Sequence, residues 1–556
     1  MTPSAAHSGR PRDPSTSATP VLLANATVWQ GAPPRPRTGG WILIDRGVVR
    51  AVGDDTTAEP AVTDRRDYTG HHILPGFRDS HSHLSISAWL PHVLDGSRWS
   101  DSHTALADIA AAASRSTDSW VIAMMSDWDD WAGGLPPLSE LDRVTDRPTI
   151  IVDVSLHRLW ASSAALHRIE ALTAAFQTGD IEYRHGKVTG VLWESACAAT
   201  LQLALSENTG NNRSSDERIN AYTREADRHL SLGIVEVHDP GVPPHTADEL
   251  AAVRTRSPLQ LSWSMTSAAS MMIPAASSEF RTDCGAGPSS AKLFLDGAHK
   301  CAMCLSAGQA TAMIARTVGR LLRGDPAPAQ ALFAYRTEYR DRHLYMPYLR
   351  LNERELHERI STLASAGIRA RIHALGNDAA RLCAHTLTAE AVTAATIEHL
   401  LVLSDTDLDH VADSGAVANL QPGFIGHYGP QLNDRGVVPS LRALPIRSLR
   451  TRGVAVALSS DNPCGPLDPL ANIRAAVNRR LPGQPVLDPR EAVDVAEAIH
   501  AYTLGGHHAI HGVPGHGITP GAPADLAIVN GDILNEDAHV IETWINGTIM
   551  YAKKPN

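Results

Sequence analysis

The chain has 556 residues, 43% of them hydrophobic and 20% charged, which is long enough for one large domain with an appended module. A formal net charge of -11 and a pI near 6.2 exclude a surface built for nucleic acid or anionic membrane, since both select clustered Lys and Arg. Six cysteines, Cys197, Cys284, Cys301, Cys304, Cys383 and Cys464, are too few for a disulfide scaffold, and no uncharged apolar run approaches the ~20 residues of a membrane span.

A reduced, cytoplasmic protein is therefore expected. Residues 1–20 are rich in Ser, Thr, Ala and Pro, lack the apolar centre of a signal peptide, and read as a disordered leader. Residues 21–73 alternate apolar and polar positions between Gly, Pro and Asp breaks, which favours short strands such as Ala26 to Trp29 and Trp41 to Asp45. Residues 511–556 carry matching strands, Ala524 to Val529 and Val540 to Gly547, so the two chain ends are expected to pair into one small β-sandwich.

Between them, residues 74–510 alternate short β-rich runs with Ala- and Leu-rich helical stretches, the pattern of an α/β fold whose βα units close into a distorted TIM-like (β/α)₈ barrel. The expected strands are Trp120 to Met124, Thr149 to Val154, Ile234 to His238, Leu259 to Met265, Ala291 to Leu295, Arg369 to His373, Ala395 to His399, Val417 to Leu420 and Val454 to Ser459. Several end on a polar, His or Asp residue, as the C-terminal strand ends of a barrel enzyme do. A helical excursion is expected at about 307–348, where Ile314, Val318, Leu321 and Leu322 share one face before Pro326 and Pro328 break the run. It reads as a lid over the barrel mouth or an oligomer contact, with an ordinary barrel helix and long loop as the alternative.

The chemistry begins at Leu74-Pro75-Gly76-Phe77-Arg78-Asp79-Ser80-His81-Ser82-His83. Side chains at i and i+2 of a strand share a face, so His81 and His83 can present two imidazoles to one metal ion. Alone, such a pair among 27 histidines is equally compatible with chance. His373, His399 and Asp461 each follow an apparent strand. Lys292 opens Lys-Leu-Phe-Leu-Asp and is hard to bury as a free ammonium, whereas a carboxylated lysine would be an anionic oxygen ligand.

Set in this order, the chain resembles the amidohydrolase superfamily, in the branch of N-substituted formamide deformylase-like metal-dependent enzymes. The matching pieces are Leu74 to His83, Gly233 to Asp239, Lys292 to Gly297, Ile372 to Gly376, Ile397 to His399, Gln421-Pro422, Ser460 to Pro463 and Gly521 to Leu526. The resemblance implies a metal-dependent barrel with His81, His83, Lys292, His373 and His399 as ligands and Asp461 as both ligand and proton shuttle. It implies one or two Zn²⁺ ions, other divalent metals being admissible, and a small-molecule substrate. Neither nucleic acid nor membrane is expected as a partner, and a homodimer is left open.

Further candidates for substrate contact or for support of the ligands are Glu194, His238, Asp239, Cys301 and Cys304. Each has a plainer reading: a solvated glutamate at a helix start, a structural His-Asp pair, and a lone Cys-x-x-Cys without a second pair. After His373 the chain runs Gly376-Asn377-Asp378-Ala379, displacing by one place the acidic residue of the family's usual Gly-Asp-Arg-Ala. The expected reaction is hydrolysis of a non-peptide C–N bond in an amide, formamide or N-acyl compound. The alternatives are deamination or cyclic amidine hydrolysis, a biosynthetic isomerase, decarboxylase or ring-opening step on the same site, and a silent scaffold.

Overall fold

The computed structural model describes residues 19–267, 272, 284–298, 300–324, 337–434 and 441–554. Eight parallel strands follow the chain around one barrel: β1 (Phe77–Asp79), β2 (Ile234–Val242), β3 (Gln260–Met265), β4 (Ser290–Phe294), β5 (Arg369–Ala374), β6 (Thr396–His399), β7 (Val417–Leu420) and β8 (Val456–Leu458). Every residue of β2 is buried, because helices cover the outside of the sheet while side chains fill the inside. No ladder joins β1 to β8. Instead the loops beyond them pair, Asp461 N–H donating to His81 O at 2.8 Å and His83 N–H to Asn462 O at 2.8 Å.

A helical segment also crosses that seam, running through a π-helical turn at Ala501–Gly505. Close approach requires glycine there: a Cβ at Gly505 would sit 2.3 Å from Val456 O, and one at Gly506 2.3 Å from Arg78 O. The barrel end that carries the β1 and β8 loops is thus fixed by backbone contacts before any ligand is considered.

The two chain ends meet as expected. Leu526–Asn530 runs antiparallel to His71–Pro75, joining the C-terminal strands to those of residues 21–67 in one eight-stranded sheet. The sheet curls over an apolar core that includes Leu23, Val28, Ile42, Ile73, Ile528 and Trp544, so strands far apart in its order touch. Arg66, for example, lies 5.1 Å over the Trp544 ring. Residues 1–18 of the expected leader lie outside the described residues.

Two expectations change. Trp120 to Met124 and Thr149 to Val154, expected among the barrel strands, fall on Val121–Ser126 and Thr149–Asp153 of a separate six-stranded sheet inserted between β1 and β2, with apolar clusters of its own on both faces. A local βα pattern does not reveal which sheet a strand joins; that is decided by distant pairing partners. This inserted sheet leads into α1 (Glu194–Asn212), which begins beside the barrel mouth.

The excursion is only partly helical. Helix α2 (Ala307–Leu321) starts at a Ser306/Gln309 capping box, and Met303–Ser306, Glu338–Arg340 and His343–Met346 form a three-stranded sheet beside it. Residues 325–336, with Phe333 and Tyr335, lie outside the described residues. Helix α2 buries Ala310, Met313 and Thr317, while Ile314, Val318, Leu321 and Leu322 are exposed. None of the described residues of 303–348 lines the cavities at the barrel mouth, so the described part gives the lid reading no contact to rest on. No helix among the described residues is long and apolar enough to cross a membrane.

Candidate metal centre

The six residues singled out at strand ends converge on one cavity. His81, His83, Lys292, His373, His399 and Asp461 all line it, in about 40 Å³, space for an ion with one or two waters. Asp461 Oδ1 lies 3.3 Å from both His81 Nε2 and His83 Nε2, and Oδ2 lies 3.8 Å from His399 Nδ1. The imidazoles of His81 and His373 stand 4.9 and 4.5 Å from that of His399, centroid to centroid. Backbone geometry contributes: His399 (φ 78°) and Asp461 (φ 52°) adopt the left-handed region that side-chain-bearing residues rarely occupy. At His399 this turn bends the chain at the end of β6, beside the mouth.

A polar network inside the barrel sets the ring orientations. Glu398 is its hub, accepting from Arg371 Nε at 2.9 Å and from Asn419 Nδ2 at 2.8 Å, with His81 Nδ1 at 2.8 Å. With Nδ1 as the donor to Glu398, His81 turns Nε2 to the cavity. His399 follows the same rule, with Nδ1 2.8 Å from Gln421 Oε1, whose amide is tied to Ser459 Oγ at 2.9 Å.

Electrostatics divides the imidazoles: burial opposes the charge on His81, yet Asp461 and Glu398 outweigh it and raise that ring above the ordinary imidazole range, while His373 and His399 go the other way. Burial keeps His373 and His399 well below the ordinary imidazole range, so both are neutral and can donate lone pairs. Burial opposes ionisation of Asp461, but His81, His83 and His399 outweigh it and hold the carboxyl well below its usual range. Burial lowers Lys292 to about 8 against the pull of Glu398 and Asp461. Among the described residues, His83 Nδ1, His373 Nε2 and Asp461 Oδ1 are buried without a hydrogen-bonding partner. Orphaned polar atoms are costly; His83 Nδ1 is turned towards Asp239, and the other two, His373 Nε2 and Asp461 Oδ1, belong to residues that line the cavity and fit a bound cation.

The remaining candidates divide. Glu194, at φ 46°, bonds His157 Nδ1 at 2.7 Å, and His157 in turn lies 5.0 Å from His373, ring to ring. Gly297 makes room for it, because a Cβ there would collide with the Glu194 carboxylate. Asp239 accepts from Ser85 N–H at 2.8 Å and lies 3.9 Å from His83 Nδ1, behind that ring. His238 does not line the cavity; its two nitrogens lie 2.8 Å from Ser262 Oγ and Ser264 Oγ. Cys304 is bound through its backbone to Asn377 on both sides, and neither it nor Cys301 lines the mouth cavities.

Sequence reasoning missed Glu398 and Gln421 as orienting groups although both stand in quoted motifs; adjacency to a His or Pro was the available signal. It also missed His157, Phe424, His427, Tyr428 and Cys464, which line the adjoining aromatic side of the mouth. His157 comes from the inserted sheet, whose position is not written in its local pattern.

Comparison with known proteins agrees with this architecture. Residues 66–551 match the amidohydrolase family. The N-substituted formamide deformylase of Arthrobacter pascens is 26% identical over 92% of this chain and 95% of its own. An uncharacterized metal-dependent hydrolase from Pyrococcus horikoshii OT3 shares the fold, with a TM-score of 0.65 at 19% identity over 93% of this chain and 98% of its own. Its counterpart from Pyrococcus furiosus gives 0.62 at 20% identity over 93% and 100%.

Proposed function

Because the chain belongs to the amidohydrolase family and is a hydrolase of carbon–nitrogen bonds, we propose that its substrate is a small amide, formamide or N-acyl compound cut at the barrel mouth. In this reading His81, His83, Lys292, His373, His399 and Asp461 hold one or two Zn²⁺ ions. The observation that carries it is the convergence of all six on one cavity, with His373 Nε2 and Asp461 Oδ1 orphaned among the described residues. Imidazole and carboxylate donors suit zinc among the divalent metals. Bound zinc supplies an activated water at neutral pH and polarises the scissile carbonyl.

The chain's own residues do the rest. Asp461 turns Oδ1 to the imidazoles, and Oδ2 takes the proton from the attacking nucleophile and returns it to the leaving nitrogen. Glu398 and Gln421 fix the tautomers of His81 and His399. Lys292, lowered to about 8, has a neutral fraction able to take up carbon dioxide as a carbamate, giving an oxygen donor in place of a buried ammonium. Phe424 and Tyr428 wall the adjoining space with apolar surface, which suits an apolar substituent on the nitrogen; the Arthrobacter relative is named for N-substituted formamides. The proposed compartment is the reducing cytoplasm, from cysteine usage, and a homodimer stays an open proposal.

The test is a panel of N-substituted formamides, N-acyl compounds, cyclic ureas and amidines, assayed on zinc-loaded and chelator-treated protein. Hydrolysis of an amide or formamide that is lost on chelation and restored by zinc is expected. Turnover of amidines alone would move the site to deaminase chemistry, and full activity after verified metal removal would overturn the reading.

A further inference from the structure

A second cluster of ligand-type side chains lies at the opposite end of the barrel, where the strands begin and the terminal sheet packs. Glu236, on β2 two residues before His238, is fully buried. Its Oε1 lies 2.6 Å from His511 Nε2, and its Oε2 lies 3.7 Å from His507 Nδ1. His507 and His511 stand one turn apart on α3 (Gly506–His511), with ring centroids 4.3 Å apart. Residues at i and i+4 share a helical face, so the pair addresses a single point. His507 Nδ1 is buried without a hydrogen-bonding partner among the described residues.

We propose that Glu236, His507 and His511 form a second divalent-metal site, a structural one of zinc type, on the barrel floor. Tetrahedral zinc with ligands near 2.1 Å sets its donors about 3.4 Å apart. With Oε1 as the carboxylate donor, its 2.6 Å contact with His511 Nε2 opens by about 0.8 Å when an ion replaces the proton, and one ligand atom from each of the three residues already lies within 4.8 Å of the other two. The carboxylate keeps its anchor, because Arg78 Nε reaches Oε2 at 3.2 Å while Oε1 faces the histidine.

Charge favours a cation even with Arg78 present. Arg78 is shared with Asp525 at 3.3 Å, so one guanidinium faces two carboxylates, and with neutral imidazoles the cluster holds a net negative charge. A cavity of about 120 Å³, bordered by Arg78, His507, His516 and Asp525, adjoins it and has room for a water as fourth ligand. The three ligands come from β2 and from the helix that crosses the seam, so an ion here would tie that helix to the barrel near the terminal sheet.

The site is tested by metal content. Full-length protein is stripped with chelator, reloaded with Zn²⁺, dialysed, and assayed for zinc per chain by atomic emission, alongside His507→Ala/His511→Ala and His511→Gln. Glutamine keeps a hydrogen-bond donor to Glu236 but is a poor zinc ligand, so a folding defect in the double variant leaves the question answerable. One zinc fewer per chain in either folded variant, with a smaller zinc-induced rise in Tm than the native chain shows, is expected. Equal zinc content in His511→Gln and the native chain overturns the site and leaves the histidines as hydrogen-bond partners of Glu236. The comparison is a difference, so it reads the floor whether the mouth holds two ions, one or none.

Discussion

At the mouth of the barrel Asp461 meets three imidazoles, a lysine and a cavity; at the floor Glu236 meets two imidazoles and an arginine. The two groups share donor chemistry but differ in what is fixed. Burial opposes ionisation of Glu236, but His507, His511 and the permanent charge of Arg78 outweigh it and hold the carboxyl well below its usual range. Around Asp461 two of the neighbouring rings, His81 and His399, are themselves oriented from behind by Glu398 and Gln421, so that their remaining nitrogens can face the cavity. A carboxylate with open space and oriented ligands is placed to do chemistry; one paired with a guanidinium is placed to hold structure.

That contrast can be broken by substitution. The largest effect is expected from Asp461→Asn, which keeps the imidazole set but removes the proton acceptor: turnover falls about 10²–10⁴-fold while zinc content stays at the native level. Near-native turnover in a zinc-replete variant would remove Asp461 from proton transfer. Glu398→Gln comes next, because it loosens His81 without touching a ligand; zinc affinity at the mouth drops about 10–100-fold, measured by competition with a chelating dye, while the floor is unaffected.

Lys292 should show itself as a slope. Its folded pKa of about 8 lies below the ordinary lysine value of 10.5, so between these values the unfolded chain holds a proton that the folded chain has released. Stability of metal-free protein, kept free of carbon dioxide, therefore rises with pH from about 8 to 10.5 and levels off above. Lys292→Met should flatten that rise in urea titrations. An unchanged slope would assign it to other groups. The smallest effect belongs to the floor, where His511→Gln is expected to leave kcat of the zinc-loaded enzyme unaltered.

The mouth was more legible in the sequence than the floor for a physical reason. His81, His83, His373, His399 and Asp461 end runs of β-forming residues, and in a barrel the ends of different strands must converge, so strand position alone groups them. Glu398 sits on β6 and Gln421 just past the end of β7, yet their orienting role depends on which ring each meets across the barrel interior. The inserted sheet hid in plain pattern, since Val121–Ser126 and Thr149–Asp153 look like barrel strands until their partners are known. At the floor, Glu236, His507 and His511 are separated by 275 residues between the first and last, and no local motif links them. On α2 the apolar stripe was visible, but its direction was not: Ile314, Val318 and Leu321 are 47%, 48% and 49% exposed where periodicity suggested a contact face.

Diffraction at the zinc absorption edge from crystals of zinc-loaded protein tests the central claim most directly. An anomalous peak about 2.0–2.3 Å from imidazole nitrogens of His81 and His83 and near Asp461 is the result expected at the mouth. Zinc-replete crystals of active enzyme with no peak among His81, His83, His373, His399 and Asp461 would contradict it.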